Sequence, residues 1–333
     1  MNVNEIQQQL FQGIKRKLSS EASVAEEVAK LLDISTDSAY RRMRGEKSIS
    51  FDELHQLATH YSISLDQLMG IQRDGFLFQG NILNPTTHRY ESYLTGIMNT
   101  MAYFNSFKQK QFYYLGKDLP VFHYSQFKEL AAFKYFFWMG TLMFFPEFKN
   151  KKISLDDFPD ELFELGRKSL SYYNQMDSYE IWNMESLNST LRQIEYYLDT
   201  NLFQSDEDAL RIYEAMEKVF DHLEEQARLG YKFTWGDPSK TPLGKYNCYF
   251  NEIVLLDNSM MVTVDEQKMA MIPHTAINYM MTRDINFCEN LNSYIQNLMR
   301  RSTKISEVSE KERARFFKKI HDRIASRKES LKV

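Results

Sequence analysis

Between Asn4 and Met69 the apolar residues recur at helical spacing in five short runs, each bounded by a residue that starts or stops a helix. The first covers Ile6 to Leu18. The second, Val24 to Leu32, follows Ser23, whose hydroxyl can cap free amides, with Glu26 three positions on. A third opens after Ser35, carries Asp37 and Ser38 in its first turn, and stops at Gly45, which tolerates the left-handed backbone of a helix end. A fourth spans Phe51 to Tyr61 behind Ser50, again with Glu53 at the third position, and a last turn runs from Ser64 to Met69. Helices this short are marginal alone and must bury their apolar faces against one another. The pattern therefore predicts a compact five-helix unit over residues 1–70.

Length and composition bound the remainder of the chain. A protein of 333 residues with 43% apolar and 26% charged residues buries a sizeable core and has room for a second, larger unit. Gly75, Gly80 and Pro85 mark residues 71–87 as a linker. Residues 88–333 then read as a mostly helical region, with helices near 90–105, 126–145, 157–174, 179–200 and 207–229. An extended piece, Gln111 to Leu115, interrupts them. Runs from Cys248 to Leu256, Met260 to Val264 and Lys268 to Ile272, separated by polar turns, predict a small antiparallel β-meander near 246–272, with helices resuming after Pro273. The fold class expected is thus mainly α.

Several chemistries find no support in the residues. Cys248 and Cys288 lack paired spacing, and so neither a disulfide framework nor a thiolate zinc site is signalled. His55 and His60, five apart, miss a common helix face, and no phosphate-binding glycine loop or nucleophile elbow occurs. No catalytic residue, metal site or cofactor is expected, and the chain is read as no enzyme. The polar start of the chain and its longest apolar stretch, Phe133 to Pro146, lack the h-region of a signal peptide and the roughly 20 residues of a membrane span, which predicts a cytoplasmic protein without a membrane partner.

The stretch from Ser23 to Gly45 resembles the phage-repressor type, or Xre-like, helix-turn-helix, and the resemblance continues through Ile49–Ala58 and Ile63–Met69. Its markers are Ala29 in the second helix, Ile34-Ser35 in the turn, Ala39 in the third helix, Arg44-Gly45 at its end and the closing Ser-Leu-Asp-Gln-Leu. Two helices that cross steeply need a small residue where they touch, which Ala29 and Ala39 supply, and Ile34 plugs the corner. Three positions depart from the family's pattern: Asp33 stands in the turn for glycine, Met43 for a common glutamate, and Ala25 for a frequent glutamine.

The resemblance implies that the third helix enters a major groove of double-stranded DNA, leading with its N-terminal residues. Thr36, Asp37, Ser38, Tyr40 and Arg41 are then candidates for base or nearby phosphate contact, and Arg42, Arg44 and Lys47 for gripping phosphates. An arginine at 41 addresses guanine O6 and N7 with two parallel bonds, whereas Asp37 only accepts, as from cytosine N4, or simply caps the helix. A net charge of −4 does not oppose this, because local basic surface decides phosphate contact. Charge is indeed local: residues 300–333 carry an excess of seven positive charges, leaving −11 for the rest.

The expected function is a one-component transcriptional regulator that binds a two-fold operator as a homodimer, its larger region serving association and possible sensing of an unknown small-molecule or protein effector. The competing expectation is a protein-interaction scaffold with a vestigial helix-turn-helix head. The aromatic run from Tyr113 through Phe148 either fills a core, as helical spacing of large apolar groups implies, or lines a pocket for a planar molecule. For the basic tail, a solvated helix of alternating charge competes with phosphate attraction by Lys318, Lys319, Arg323, Arg327 and Lys328.

Overall fold

A computed structural model describes residues 3–15, 17–18, 23–69, 75–80, 90–149, 151–253, 258–275 and 277–331. The chain divides into two compact units, Met1–Phe76 and Leu77–Val333. Of the linker expected over 71–87, residues 71–74 and 81–87 lie outside the described residues. Gln79 exchanges backbone hydrogen bonds with Met281, which ties it into the second unit.

The first unit is built from α1 (Val3–Lys15), α2 (Val24–Leu32), α3 (Thr36–Met43), α4 (Phe51–His60) and α5 (Leu65–Leu68). Three serines start the inner helices. The hydroxyls of Ser23, Ser35 and Ser50 accept from the amides of Glu26, Ser38 and Glu53, and at Ser50 the Glu53 carboxylate returns to the Ser50 amide in a full capping box. Leu10, Ile14, Val28, Ala39 and Leu57 meet in a closed core, with Ala29 beside them and Ile34 packed on its edge. Asp33 adopts a left-handed conformation (φ 51°), which aspartate tolerates better than most residues and which turns α2 into α3.

The second unit corrects the mainly α expectation. Among its described residues seven strands form one mixed sheet, β1 (Lys110–Gly116), β2 (Asp177–Trp182), β3 (Tyr246–Phe250), β4 (Met260–Val264), β5 (Gln267–Pro273), β6 (Tyr279–Thr282) and β7 (Thr303–Lys304), in the order β6-β5-β4-β1-β2-β3-β7. The centre is parallel, β1 to β2 to β3, and the flanks are antiparallel. The expected meander exists only as β4 and β5. β3 instead pairs with β2 and β7, and residues 254–257 of its expected extension lie outside the described residues. The helix expected over 179–200 begins as β2, and a strand rather than a helix follows Pro273. For β2 the cause is burial on both faces, which erases the alternation that identifies a half-exposed strand, whereas β6 is a four-residue edge strand too short to show one.

Helices α6 (Tyr90–Asn105), α7 (Val121–Tyr124), α8 (Lys128–Phe136), α9 (Asp160–Asn174), α10 (Asn188–Asp199), α11 (Asp206–Leu229), α12 (Ile285–Arg300) and α13 (Glu310–Ser330) complete the unit. Tyr113, Leu115, Ile181 and Met261 on one sheet face pack against Ile295 of α12. The other face carries Phe112 and Tyr114 on β1 and Tyr246 and Cys248 on β3, in the two clusters that hold most of the core. Of the aromatic run, Phe133, Phe136, Phe137 and Trp138 are buried there.

At the middle of β2, on that second face, stands Glu180, with no exposed surface. Its carboxylate sits 3.0 Å from His123 Nε2 and accepts from Trp182 Nε1 (2.9 Å), Tyr246 (3.3 Å) and Tyr173. Burial alone would raise its pKa, but His123 and the donating hydroxyl of Tyr173 hold the carboxyl below its ordinary value. Lys232, equally buried, donates to the Tyr173 carbonyl (3.0 Å), and desolvation pushes its ammonium down to about 7.

On α11, the buried ring of His222 packs on Phe233 and Trp235. His222 Nε2 lies 2.7 Å from the Gln226 amide nitrogen and 3.1 Å from the Phe233 carbonyl, which also accepts from the Gln226 amide (3.2 Å). Desolvation, with His123 nearby, pushes its pKa down to about 4. The unfolded chain therefore binds an extra proton between pH 4 and 6.5, and folded stability falls as the pH drops through that window. The expected loss at pH 4 is about 3 kcal/mol. Urea melts across pH 4–7 should show this acid limb, and His222→Gln should flatten it.

Candidate nucleic-acid interface

Helix α3 has two faces of opposite chemistry. Ala39 is wholly buried and Arg42, three residues on, shares its face, while Thr36, Asp37, Tyr40, Arg41 and Arg44 lie outward. Tyr40 keeps 45% of its surface exposed. The eight residues of α3 span about 12 Å, a length that fits across a major groove. Lys47 is exposed in the following loop.

Arg42 requires a correction. Expected on phosphate, it is 3% exposed and each of its three guanidinium nitrogens donates inside the unit. Nε and Nη2 form a fork on the two Glu53 oxygens (3.1 and 2.6 Å), and Nη1 donates to the Ser38 carbonyl (3.1 Å). Hydrogen bonding from Arg42 holds the Glu53 carboxyl below its ordinary pKa against the opposing cost of burial. The signal is present in the spacing, since Arg42 stands three residues after Ala39, but Glu53 reads locally as a cap and nothing more. Ser38 is half-buried and likewise occupied: its amide and hydroxyl meet the Ser35 hydroxyl (3.2 and 3.1 Å) as part of the cap.

Gln7 of α1, not singled out from the sequence, ties down the loop after α3. Its amide donates to the carbonyls of Arg42 (2.7 Å) and Lys47 (2.8 Å), and its oxygen accepts from the Ile49 amide (3.1 Å). Its only sequence signal is its place on α1, four residues before Phe11 of the core.

Arg44 and Arg41 stay at the surface, with 54% and 52% of their side chains exposed, yet both face Glu46. Arg44 forms a two-bond fork on that carboxylate (2.6 and 3.1 Å), and Arg41 Nε lies 3.8 Å away. Hydrogen bonding to Arg44 outweighs slight desolvation and lowers the Glu46 carboxyl, and the same bond raises the Arg44 guanidinium. The outward surface thus carries three basic side chains, Arg41, Arg44 and Lys47, against two acidic ones, Asp37 and Glu46.

The basic tail is used differently. On α13, Arg323 donates to the Met184 carbonyl (2.6 Å) and Asn188, Arg327 pairs with Glu195 (3.0 Å) and Lys328 with Glu217 (2.8 Å). Lys318 pairs with Asp322 along the helix, and Lys319 is exposed. Arg313 is buried and caps the Ile305 and Val308 carbonyls. Arg313, Arg323, Arg327 and Lys328, half of the basic side chains of α13, thus brace it against the body.

Residues 3–91 match the family model of the BetR domain, a domain associated with helix-turn-helix regulators. The matched span takes in the whole helical unit and ends on the second residue of α6. No curated protein and no solved structure matches the chain. Among the described residues no helix is long and apolar enough to cross a membrane.

The inward fork makes Arg42 a structural residue. Arg42→Ala strands the Glu53 carboxylate and should cost the first unit about 3 kcal/mol, whereas Arg44→Ala should stay within about 0.5 kcal/mol. Hydrogen exchange over residues 36–60 is the measurement: protection collapses in the first variant and persists in the second.

Proposed function

We propose that the chain is a sequence-specific DNA-binding transcriptional regulator that acts without a catalytic step. In this reading the first unit lays α3 in the major groove, with Tyr40 and Arg41 at base edges and Arg44 and Lys47 on flanking phosphates. Thr36 and Asp37 lead the helix into the groove. The observation that carries it is the exposed face of α3, held rigidly from behind, within a domain associated with regulators.

The second unit supplies association between two copies, and so the operator is two-fold, with half-sites about 34–36 Å apart or a multiple of that. Its densest group of ionisable side chains, around Glu180, supports a structural role. The carboxylate is sealed from solvent and surrounded by donors, which suits holding a sheet together better than meeting a substrate.

Gel shifts with genomic fragments against competitor DNA test the reading. At least one fragment should be retained at moderate salt. Arg41→Ala should weaken that complex about 10- to 100-fold, the cost of one bidentate base contact, without altering the melting temperature. Retention of no fragment above competitor would overturn the reading and leave a protein-interaction scaffold with a vestigial head in its place.

A further inference from the structure

Glu46 is held where it is by the backbone. Helix α3 ends in a Schellman motif: the Glu46 amide donates to the Arg41 carbonyl (2.9 Å) and the Gly45 amide to the Arg42 carbonyl (3.0 Å), with Gly45 left-handed at φ 78°. This geometry brings the side chain after the glycine against the residue three before the cap, a pair that is commonly apolar. Here the pair is Glu46 and Arg41, and the cap residue between them is Arg44. The loop that carries Glu46 is clamped on either side by the bonds of Gln7 to Arg42 and Lys47. A carboxylate is therefore fixed between the two exposed arginines of the helix.

A fork on a carboxylate and a fork on a phosphate use the same guanidinium hydrogens. While Arg44 spends its Nε and Nη2 on Glu46, those donors are closed to a DNA backbone, and any phosphate approaching Arg41 meets the same negative charge. Resting on the DNA-binding reading above, we infer that Glu46 is an internal phosphate competitor, which suppresses sequence-independent binding and makes affinity depend on base contacts strong enough to displace it. Non-specific binding is almost wholly phosphate attraction and loses most from this competition. A specific complex also gains base contacts, and Arg41, whose Nε stands 3.8 Å from Glu46, gives up less to make one than Arg44 gives up with its fork at 2.6 and 3.1 Å.

The test compares the unmodified 333-residue chain, Glu46→Gln, Arg44→Ala and the double variant on a random-sequence duplex over a range of salt. Glu46→Gln should bind roughly three- to tenfold more tightly at low salt. Its log–log salt slope should steepen by about 0.9 to 1.8, one or two more phosphates neutralised. Unchanged thermal unfolding would show that the loop survives. In the Arg44→Ala background most of the gain should vanish, because the freed guanidinium is then missing.

An equal gain in both backgrounds would reduce Glu46 to a generic negative charge and overturn the competitor. So would an unchanged slope, or weaker binding by Glu46→Gln. The underlying reading is judged separately, by retention of genomic fragments by the unmodified protein: if that succeeds while Glu46→Gln has no effect, only the competitor fails. Absence of duplex binding by every variant removes both.

Discussion

The fork between Arg42 and Glu53 is the interaction on which the first unit turns. It bridges α3 and α4 at 2.6 and 3.1 Å, and the same Glu53 oxygen that meets Nε also receives the Ser50 amide at the start of α4. One carboxylate therefore begins one helix and orients another. The Nη1 bond to the Ser38 carbonyl holds the guanidinium on its own helix, so that rolling α3 about its axis breaks the charge-assisted fork on Glu53 in a poorly solvated place. The outward direction of Tyr40, Arg41 and Arg44 follows from what Arg42 does on the opposite face.

The second unit solves a related problem at Glu180. A central strand of a sheet covered on both faces leaves no water for a charged side chain. Donors must therefore come from elsewhere in the chain, and they do: His123 from α7, Tyr173 from α9, Tyr246 from β3 and Trp182 from β2 itself. Because these lie on separate elements, the carboxylate is satisfied only when all of them are in place. A buried charge of this kind is weak as a source of stability and strong as a condition on assembly, since misplacing any donor leaves an unpaired group in the core.

How much of this is legible in the sequence depends on where the determining contacts lie. Serine caps and their glutamate partners act within three residues, and α2, α3 and α4 are readable down to their first residues. The left-handed turn at Asp33 is readable as well. The sheet is not. In β2, Tyr179 and Ile181 meet the α12 side while Glu180 and Trp182 enter the other core, so both faces look partly apolar and the charged residue suggests an amphipathic helix. Nothing local marks Glu180 as buried, because His123 and Tyr246 are distant in sequence and the nearby Tyr173 and Trp182 read as ordinary core aromatics. Arg42 misleads for a simpler reason: residue type alone assigns an arginine among three to solvent, although its spacing from Ala39 places it inward.

The charge of the outward face bears on how such a helix would choose among sequences. Removing Arg42 from the surface and setting Asp37 and Glu46 beside Arg41, Arg44 and Lys47 leaves little net attraction for a polyanion. The tail cannot make up the difference where its cations already hold Met184, Glu195 and Glu217. On the proposed reading, a negative protein with a nearly balanced outward surface would gain little from phosphates alone, and its discrimination would rest on hydrogen bonds at base edges, where geometry rather than charge separates one duplex from another. Such a dependence on geometry would require the helix to be held stiffly from behind. Wherever affinity comes from shape, the buried side of the recognition element sets the precision of the exposed one.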